Sequence, residues 1–247
     1  MKLKIAAMAA MAGIALTASA NAATNLVQNG DFAGAAGQIN YNTSVADWTV
    51  PGDAGSSYTF VFAPGTADSL TNAPQGTYGI NPLWGPGDGS ANGLPAASPL
   101  GGNFIGQDGD FQVSPIQQTI TGLTPGDTYQ VSFYYGFGQQ EGFTGATLQD
   151  WSVSLGGQTL TTPTYDLPSE GFSGWMHDNL NFTATSTSEV LSFMAQGNLP
   201  VPPFALLDGV SLSAVPEPAE WALMLVGIGS VGGLARQRRS ARRGANA

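Results

Sequence analysis

The sequence predicts an all-β domain, folded as an antiparallel β-sandwich of jelly-roll type. Residues 23–214 contain many short runs in which apolar and polar side chains alternate, and turns rich in Gly, Pro, Thr and Ser separate these runs. Long amphipathic helix patterns are absent from the same region of the sequence. Short strands at this density bury their apolar faces by packing two sheets together. We therefore expect a single sandwich domain over residues 23–214.

The strand with the clearest pattern carries a large apolar side chain at every second position from Tyr129 to Tyr135. Such alternation is typical of a strand with one buried face. A turn over residues 122–127 joins it to an earlier strand over residues 113–120. Further strands are predicted at residues 58–62, 151–155, 180–184, 190–195 and 205–212.

Residues 81–109 form a predicted long loop, because Gly, Pro, Asn and Ala dominate the segment. Trp84 is its one aromatic side chain before Phe104. A loop of this length in a compact domain is usually functional or disordered. We expect a binding surface there.

The N-terminus has the features of an export signal. Lys2 and Lys4 precede an apolar run over residues 5–16, and Ala20-Asn21-Ala22 provides a cleavage site for signal peptidase. Residues 1–22 are therefore predicted to be a Sec signal peptide. Its partners would be the Sec export machinery and signal peptidase.

The C-terminus is predicted to carry one hydrophobic helix that crosses the membrane. Pro216-Glu217-Pro218 is followed by an apolar stretch over residues 221–235. These residues would reach about 22 Å as a helix, a marginal span for a hydrocarbon core of about 30 Å. Basic residues after the stretch would stay in the cytoplasm. They are Arg236, Arg238, Arg239, Arg242 and Arg243.

This order of motifs over residues 215–243 resembles the PEP-CTERM sorting signal of Gram-negative envelope and exopolysaccharide-associated proteins. The resemblance implies that exosortase, a membrane-embedded cysteine protease, recognises Pro216, Glu217 and Pro218 and processes the chain near them. It also implies an exported protein of the cell envelope or extracellular space, anchored transiently or stably by the C-terminal helix.

The predicted sandwich domain has an extreme charge. Every Lys and Arg lies in the two terminal segments, so residues 23–214 contain none. Two of the 17 acidic residues, Glu217 and Glu220, lie in the C-terminal tail, so 15 carboxylates remain in the domain. Such a domain is repelled by polynucleotides, which excludes nucleic acid as a partner. A buried carboxylate there has no cationic partner and needs backbone donors, protonation or a metal such as calcium.

Three segments resemble the galactose-binding-like β-sandwich of many carbohydrate-binding modules. They are residues 25–32 (NLVQNGDF), 118–126 (QTITGLTPG) and 206–210 (LLDGV). The resemblance implies carbohydrate binding and a structural calcium ion where the N-terminal segment meets the last strand. Asp31 and Asp208 are the candidate ligands at that place.

Asp208 shares its parity with Leu206, Val210 and Leu212, so a regular strand would point its carboxylate into the core. Calcium, backbone donors or a bulge that turns the side chain outward would each satisfy it. Asp108-Gly109-Asp110 is a second oxygen-rich pair, although Asp-Gly is also common turn chemistry.

Tryptophan side chains are the candidate platforms for sugar rings. Trp84 lies in the predicted loop and Trp175 in a turn-rich stretch, so both are candidate ligand-binding residues. Trp48 and Trp151 lie within strand-like runs, which favours positions in the core.

The sequence shows no catalytic motif. His177 is the only histidine, and no Gly-x-Ser-x-Gly arrangement surrounds Ser173 or any other serine. The leading hypothesis is an exported, non-enzymatic protein that associates with exopolysaccharide. Three alternatives remain open: a structural matrix protein without a specific ligand, an enzyme acting on polysaccharide, and an ice-binding protein.

Overall fold

The structure is a computed structural model that describes residues 24–198 and 201–216. Contacts within the chain define a compact unit, Thr24–Val215, which contains all the described strands. These residues form no α-helix, and a single 3₁₀ turn covers Pro86–Asp88. The predicted all-β class is therefore confirmed.

Thirteen strands are formed by the described residues. They are β1 Gly37–Gln38, β2 Thr59–Phe62, β3 Gln75–Gly76, β4 Gly79–Ile80, β5 Phe104–Asp108, β6 Ile116–Thr121, β7 Thr128–Gln139, β8 Thr147–Leu155, β9 Gln158–Thr161, β10 Tyr165–Leu167, β11 Met176–Thr183, β12 Ser188–Gly197 and β13 Pro203–Ala214.

The strands pair into two large antiparallel sheets and one small hairpin. The six-stranded sheet has the order β1-β2-β5-β13-β7-β11, and the five-stranded sheet has the order β10-β8-β12-β6 with β9 also paired to β8. Strands β3 and β4 form a separate hairpin. The two large sheets pack face to face, as the sequence predicts for a sandwich.

The main core lies between these two sheets. Strand β7 buries alternate residues from Tyr129 to Phe137, which confirms the parity predicted from the sequence. Strands β8 and β12 contribute Trp151 and Phe193 from the opposite sheet. The Trp151 indole nitrogen donates to the Leu206 carbonyl at 3.1 Å, so this ring is buried with its polar atom satisfied.

A second apolar cluster lies on the outer face of the six-stranded sheet. Residues of β2, β5 and β13 with the opposite parity form it, together with Ala67, Leu83 and Leu94 from the long connection between β2 and β5. The connection is tied to the end of β7, because the Trp84 amide donates to the Gln139 carbonyl at 3.0 Å. The outer face at this end of the sheet is therefore covered by the chain itself.

The prediction of one loop over residues 81–109 was wrong at its C-terminal end. Residues Phe104–Asp108 form β5, which pairs with both β2 and β13. All five of its residues are buried, since one face packs in the main core and the other lies under the connection. Gly106 makes the close packing possible, because a Cβ there would lie 2.5 Å from the Phe62 ring.

Candidate functional site

The two tryptophans proposed as sugar platforms are both partly buried. The Trp84 indole nitrogen donates to the Phe143 carbonyl at 2.7 Å. Trp175 packs edge-on against Phe104, with a distance of 5.5 Å between ring centroids. Trp175 packs against the second apolar cluster, and Trp84 ties its segment to the loop after β7. The role of both rings in ligand binding stays a prediction. Trp48, in contrast, is buried in the core, as the sequence predicts.

An exposed group of aromatic rings lies instead where β2 begins and β5 ends. We call Tyr58, Tyr78 and Phe111 the aromatic platform. Tyr58 is 5% exposed, whereas Tyr78 is 63% and Phe111 is 45% exposed. The centroids of the two exposed rings lie 5.7 Å apart, and those of Tyr58 and Phe111 lie 5.4 Å apart, with their planes at 80°. Two solvent-facing rings thus pack around one buried phenol.

The tip of the β3–β4 hairpin presents Tyr78. The adjacent Thr77 is fixed by the buried Gln38, whose Oε1 accepts from the Thr77 amide at 2.7 Å and from its hydroxyl at 2.9 Å. Gln112 also donates from Nε2 to the Tyr78 hydroxyl at 3.3 Å. The position of the exposed ring is therefore set by hydrogen bonds at its base and its tip.

A carboxylate-capped turn after β5 presents Phe111. Asp108 Oδ1 accepts hydrogen bonds from the amides of Asp110 at 2.8 Å and Phe111 at 2.9 Å. The Tyr58 amide donates to the Gln112 carbonyl at 3.1 Å, which ties the turn to the start of β2. Asp108 and Gly109 therefore form a turn, which is one of the two interpretations that the sequence left open beside cation binding.

Two buried acceptors beside the platform have no hydrogen-bond donor among the described residues: Asp108 Oδ2 and Gln112 Oε1. Burial raises the pKa of Asp108 to about 6, although the two amide donors of its turn act in the opposite direction. Burial and the Asp108 charge also raise the pKa of Tyr58 to about 12. The phenol therefore stays protonated at neutral pH and remains a hydrogen-bond donor.

Asp208 lies on the outer face of the six-stranded sheet and not in the main core. A register shift between Asp208 and Ser211 interrupts the pairing of β13 with β7, and Gly209 adopts a left-handed φ of 62°. Asp208 shares the outer face with Leu206, and the bulge after it places Val210 and Leu212 in the main core instead. The Ser98 hydroxyl donates to Asp208 Oδ2, and Oδ1 has no donor among the described residues.

Asp208 lies close to Asp31 and to the N-terminal segment. Burial raises its pKa to about 6, and the nearby Asp31 charge adds to this effect. The N-terminal segment joins β13 here, because the Val210 amide donates to the Gly30 carbonyl at 2.9 Å. Within residues 24–198 and 201–216, no group of three or more His, Cys, Asp or Glu side chains could hold a metal ion. An ion at Asp31 and Asp208 would need further oxygens from the backbone, Ser98 and water.

His177 lies on the exposed part of β11 and pairs with Ser132, not with Ser173. Its Nε2 lies 2.9 Å from the Ser132 hydroxyl, and its ring contacts Tyr134 at 4.8 Å between centroids. Ser173 instead donates to the Gly174 carbonyl at 2.7 Å. A triad built on Ser173 and His177 is therefore not formed.

The predicted export and sorting elements lie outside the described residues, apart from Pro216. These elements are the signal peptide over residues 1–22, Glu217 and Pro218, the hydrophobic helix and the five arginines. In the part of the chain that the structure describes, no helix combines the length and apolar character needed to cross a membrane.

The comparison with known sequences shows one distant relative. No family model matches the chain. Halomucin of Haloquadratum walsbyi (strain DSM 16790 / HBSQ001) is 29% identical over 238 residues, which cover 93% of this chain and 2% of halomucin. The chain therefore spans a very small part of this curated relative.

Solved structures with a similar arrangement of strands include carbohydrate-binding modules. The module TmCBM61, solved with β-1,4-galactotriose, has a TM-score of 0.42 and 14% identity, and the match covers 78% of this chain and 99% of the module. The xylan-binding domain CBM22-1 of Paenibacillus barcinonensis Xyn10C has a TM-score of 0.37 and 10% identity, with coverage of 81% and 99%. Likenesses at this level transfer no ligand to this chain.

Proposed function

We propose that this protein binds polysaccharide through the aromatic platform and has no catalytic activity. The observation that carries the proposal is the pair of exposed rings, Tyr78 and Phe111, held against the buried Tyr58. Sugar rings present C–H faces to aromatic rings, and such exposed aromatic area is costly to leave in water. Water molecules beneath the platform would supply the donors that the buried Asp108 Oδ2 and Gln112 Oε1 lack.

The test is the binding of the full chain to immobilised polysaccharides by biolayer interferometry. The panel contains matrix polysaccharide from the producing organism, galactan, xylan and dextran. Tyr78→Ala and Phe111→Ala each remove about 1 kcal/mol of stacking, so each is expected to weaken binding about five-fold. Exposed rings elsewhere provide matched controls: Tyr41 is 50% exposed and Phe143 is 45% exposed. Tyr41→Ala and Phe143→Ala are expected to leave affinity unchanged.

Equal losses for platform and control variants would contradict a specific site. Binding to none of the polysaccharides would overturn the proposal and favour a structural matrix protein without a ligand. Release of reducing sugar by the wild-type chain, abolished by a single carboxylate substitution, would contradict the non-enzymatic part of the proposal.

The proposed route to the cell envelope or extracellular space depends on the two ends of the chain. The order of Pro216-Glu217-Pro218, the apolar stretch and the arginines supports processing by exosortase after Sec export. Replacement of Pro216, Glu217 and Pro218 by alanine is expected to leave an unprocessed chain in the membrane fraction. An unchanged mature mass and location after this replacement would contradict the sorting proposal.

Calcium is proposed as a structural ion between Asp31 and Asp208. The unpartnered Asp208 Oδ1 supports the proposal, and so does the nearness of a second carboxylate in a unit without a single Lys or Arg. Bound calcium would neutralise both charges and hold the N-terminal segment against β13. This ion would stabilise the fold and take no direct part in binding sugar.

A further inference from the structure

The charge around the aromatic platform restricts which sugar chain it can hold. Asp110 precedes Phe111, and its charge acts on the Asp108 carboxyl. The loop with Asp53 abuts the β3–β4 hairpin, because a Cβ on Gly55 would lie 2.7 Å from the Thr77 hydroxyl. Asp110 therefore lies beside the exposed Phe111, and the loop that carries Asp53 reaches the hairpin that presents Tyr78.

Among the residues that the structure describes, no Lys or Arg side chain balances these carboxylates. Residues 5–235 contain no Lys or Arg. His177, the only histidine, lies on β11, at the opposite edge of the six-stranded sheet from β1 and β2. A uronate or sulfate group at the platform would meet negative charge without a counter-charge, whereas an uncharged hydroxyl would meet hydrogen-bond acceptors.

We propose that the aromatic platform selects uncharged, hydroxyl-rich sugar chains and discriminates against chains that carry uronate or sulfate groups. This inference rests on the proposed polysaccharide-binding function and specifies its ligand class. The discrimination is electrostatic, so it depends on ionic strength. At 10 mM salt the Debye length is about 30 Å, and at 0.5 M it falls to about 4 Å. Selectivity is therefore strongest at low salt.

The experiment compares each neutral polysaccharide with its own carboxymethylated derivative at matched chain length. Galactan, xylan, dextran and hydroxyethyl cellulose serve as neutral probes for the full chain. At 10 mM salt the neutral form is expected to bind about ten-fold more tightly than its derivative, and at 0.5 M the ratio is expected to fall to about two-fold. Chitosan is a control for ion exchange, and its binding is expected not to change in Tyr78→Ala.

A charge variant tests the cause of the selectivity. The double variant Asp53→Asn/Asp110→Asn is expected to keep its affinity for the neutral chain within two-fold and to bind the carboxymethylated chain several-fold more tightly. Asp166→Asn, an exposed carboxylate on β10 of the other sheet, is the matched control and is expected to change neither affinity. The same ratio in the double variant and the wild type would contradict the assignment to these carboxylates.

The outcomes separate this inference from the function on which it rests. Equal binding of neutral and carboxymethylated chains at 10 mM salt, with both weakened in Tyr78→Ala, would overturn the charge selectivity and keep the polysaccharide-binding function. Preferential binding of the carboxymethylated chains would overturn the selectivity as well. Binding to no probe, neutral or charged, would remove the function itself.

Discussion

Lowering the pH from 7 to 5 is expected to stabilise the fold of this acidic protein. Asp108 and Asp208 are both buried without a cationic partner, and burial raises the pKa of each carboxyl from 3.8 to about 6. The folded state therefore holds protons that the unfolded chain has already lost at pH 5. Stability rises as the pH falls through the folded pKa, and the gain is complete below 3.8.

The magnitude follows from the two pKa values. A carboxyl with a pKa of about 6 when folded and 3.8 when unfolded adds about 1 kcal/mol of stability between pH 7 and pH 5. Two such groups together add about 2–3 kcal/mol. For a unit of this size, the gain corresponds to an increase in Tm of about 5–10 °C.

One carboxyl with the opposite behaviour sets the lower limit of this pH range. Burial favours the protonated form of Glu189, but hydrogen bonds from Thr185 and Ser186 outweigh this effect and lower its pKa below the ordinary value of 4.5. The stability that Glu189 contributes is present above pH 4.5 and is lost as the pH falls through its pKa in the folded state. Measurements at pH 5 and above therefore isolate Asp108 and Asp208.

The assay is thermal unfolding followed by circular dichroism at pH 7, 6 and 5, at constant ionic strength and with a chelator present. The double variant Asp108→Asn/Asp208→Asn is expected to show little change in Tm over this range. Asp127→Asn, in the turn before β7, serves as the control and is expected to keep the full increase. A wild-type Tm that stays level or falls between pH 7 and pH 5 would refute the reasoning.

Two further predictions concern the outer face of the six-stranded sheet. Gly106→Ala is expected to destabilise the fold by about 1–3 kcal/mol, because the new methyl group would lie 2.5 Å from the Phe62 ring. Gly157→Ala, which has open space around it, is the control. Urea denaturation measures the stability of both variants. An equal loss in the two variants would contradict close packing at β5. Calcium at 1 mM is expected to raise the Tm at pH 7 by several degrees relative to chelator, and Asp208→Asn is expected to abolish the increase. No increase in the wild-type chain would contradict the calcium proposal.

The strands that the sequence predicted well are those with one polar face. From Tyr129 to Tyr135, the residues between the large side chains lie outside the main core, so the alternation records the burial directly. Strand β5 carries no such signal, because both of its faces are covered and all five residues from Phe104 to Asp108 are buried. The outer face of β5 is covered by the connection between β2 and β5. Local periodicity in the sequence does not reveal such a tertiary contact.

The candidate site was harder to predict than the fold. Tyr78 and Phe111 are single aromatic residues in separate turns. The antiparallel pairing of β2 with β5 brings Phe111 to Tyr58, and the Gln38 side chain holds the β3–β4 turn that carries Tyr78. Each residue lies close to turn glycines in the sequence, which indicates that it is exposed. This local signal does not show that the two rings lie next to each other. The face occupied by Asp208 stayed open in the sequence for a different reason. Parity holds only along a regular strand, and the bulge at Gly209 interrupts β13.

The absence of lysine and arginine from Thr24–Val215 makes the titration of this unit one-sided. Most proteins become strongly cationic in acid, and repulsion among their positive groups then drives unfolding. Protonation of the carboxylates here removes charge, and His177 is the only basic side chain of this unit. Acid therefore takes this unit from a polyanion to a nearly uncharged body. In strong acid we expect it to lose solubility and to associate with other copies, with little electrostatic force to open the fold.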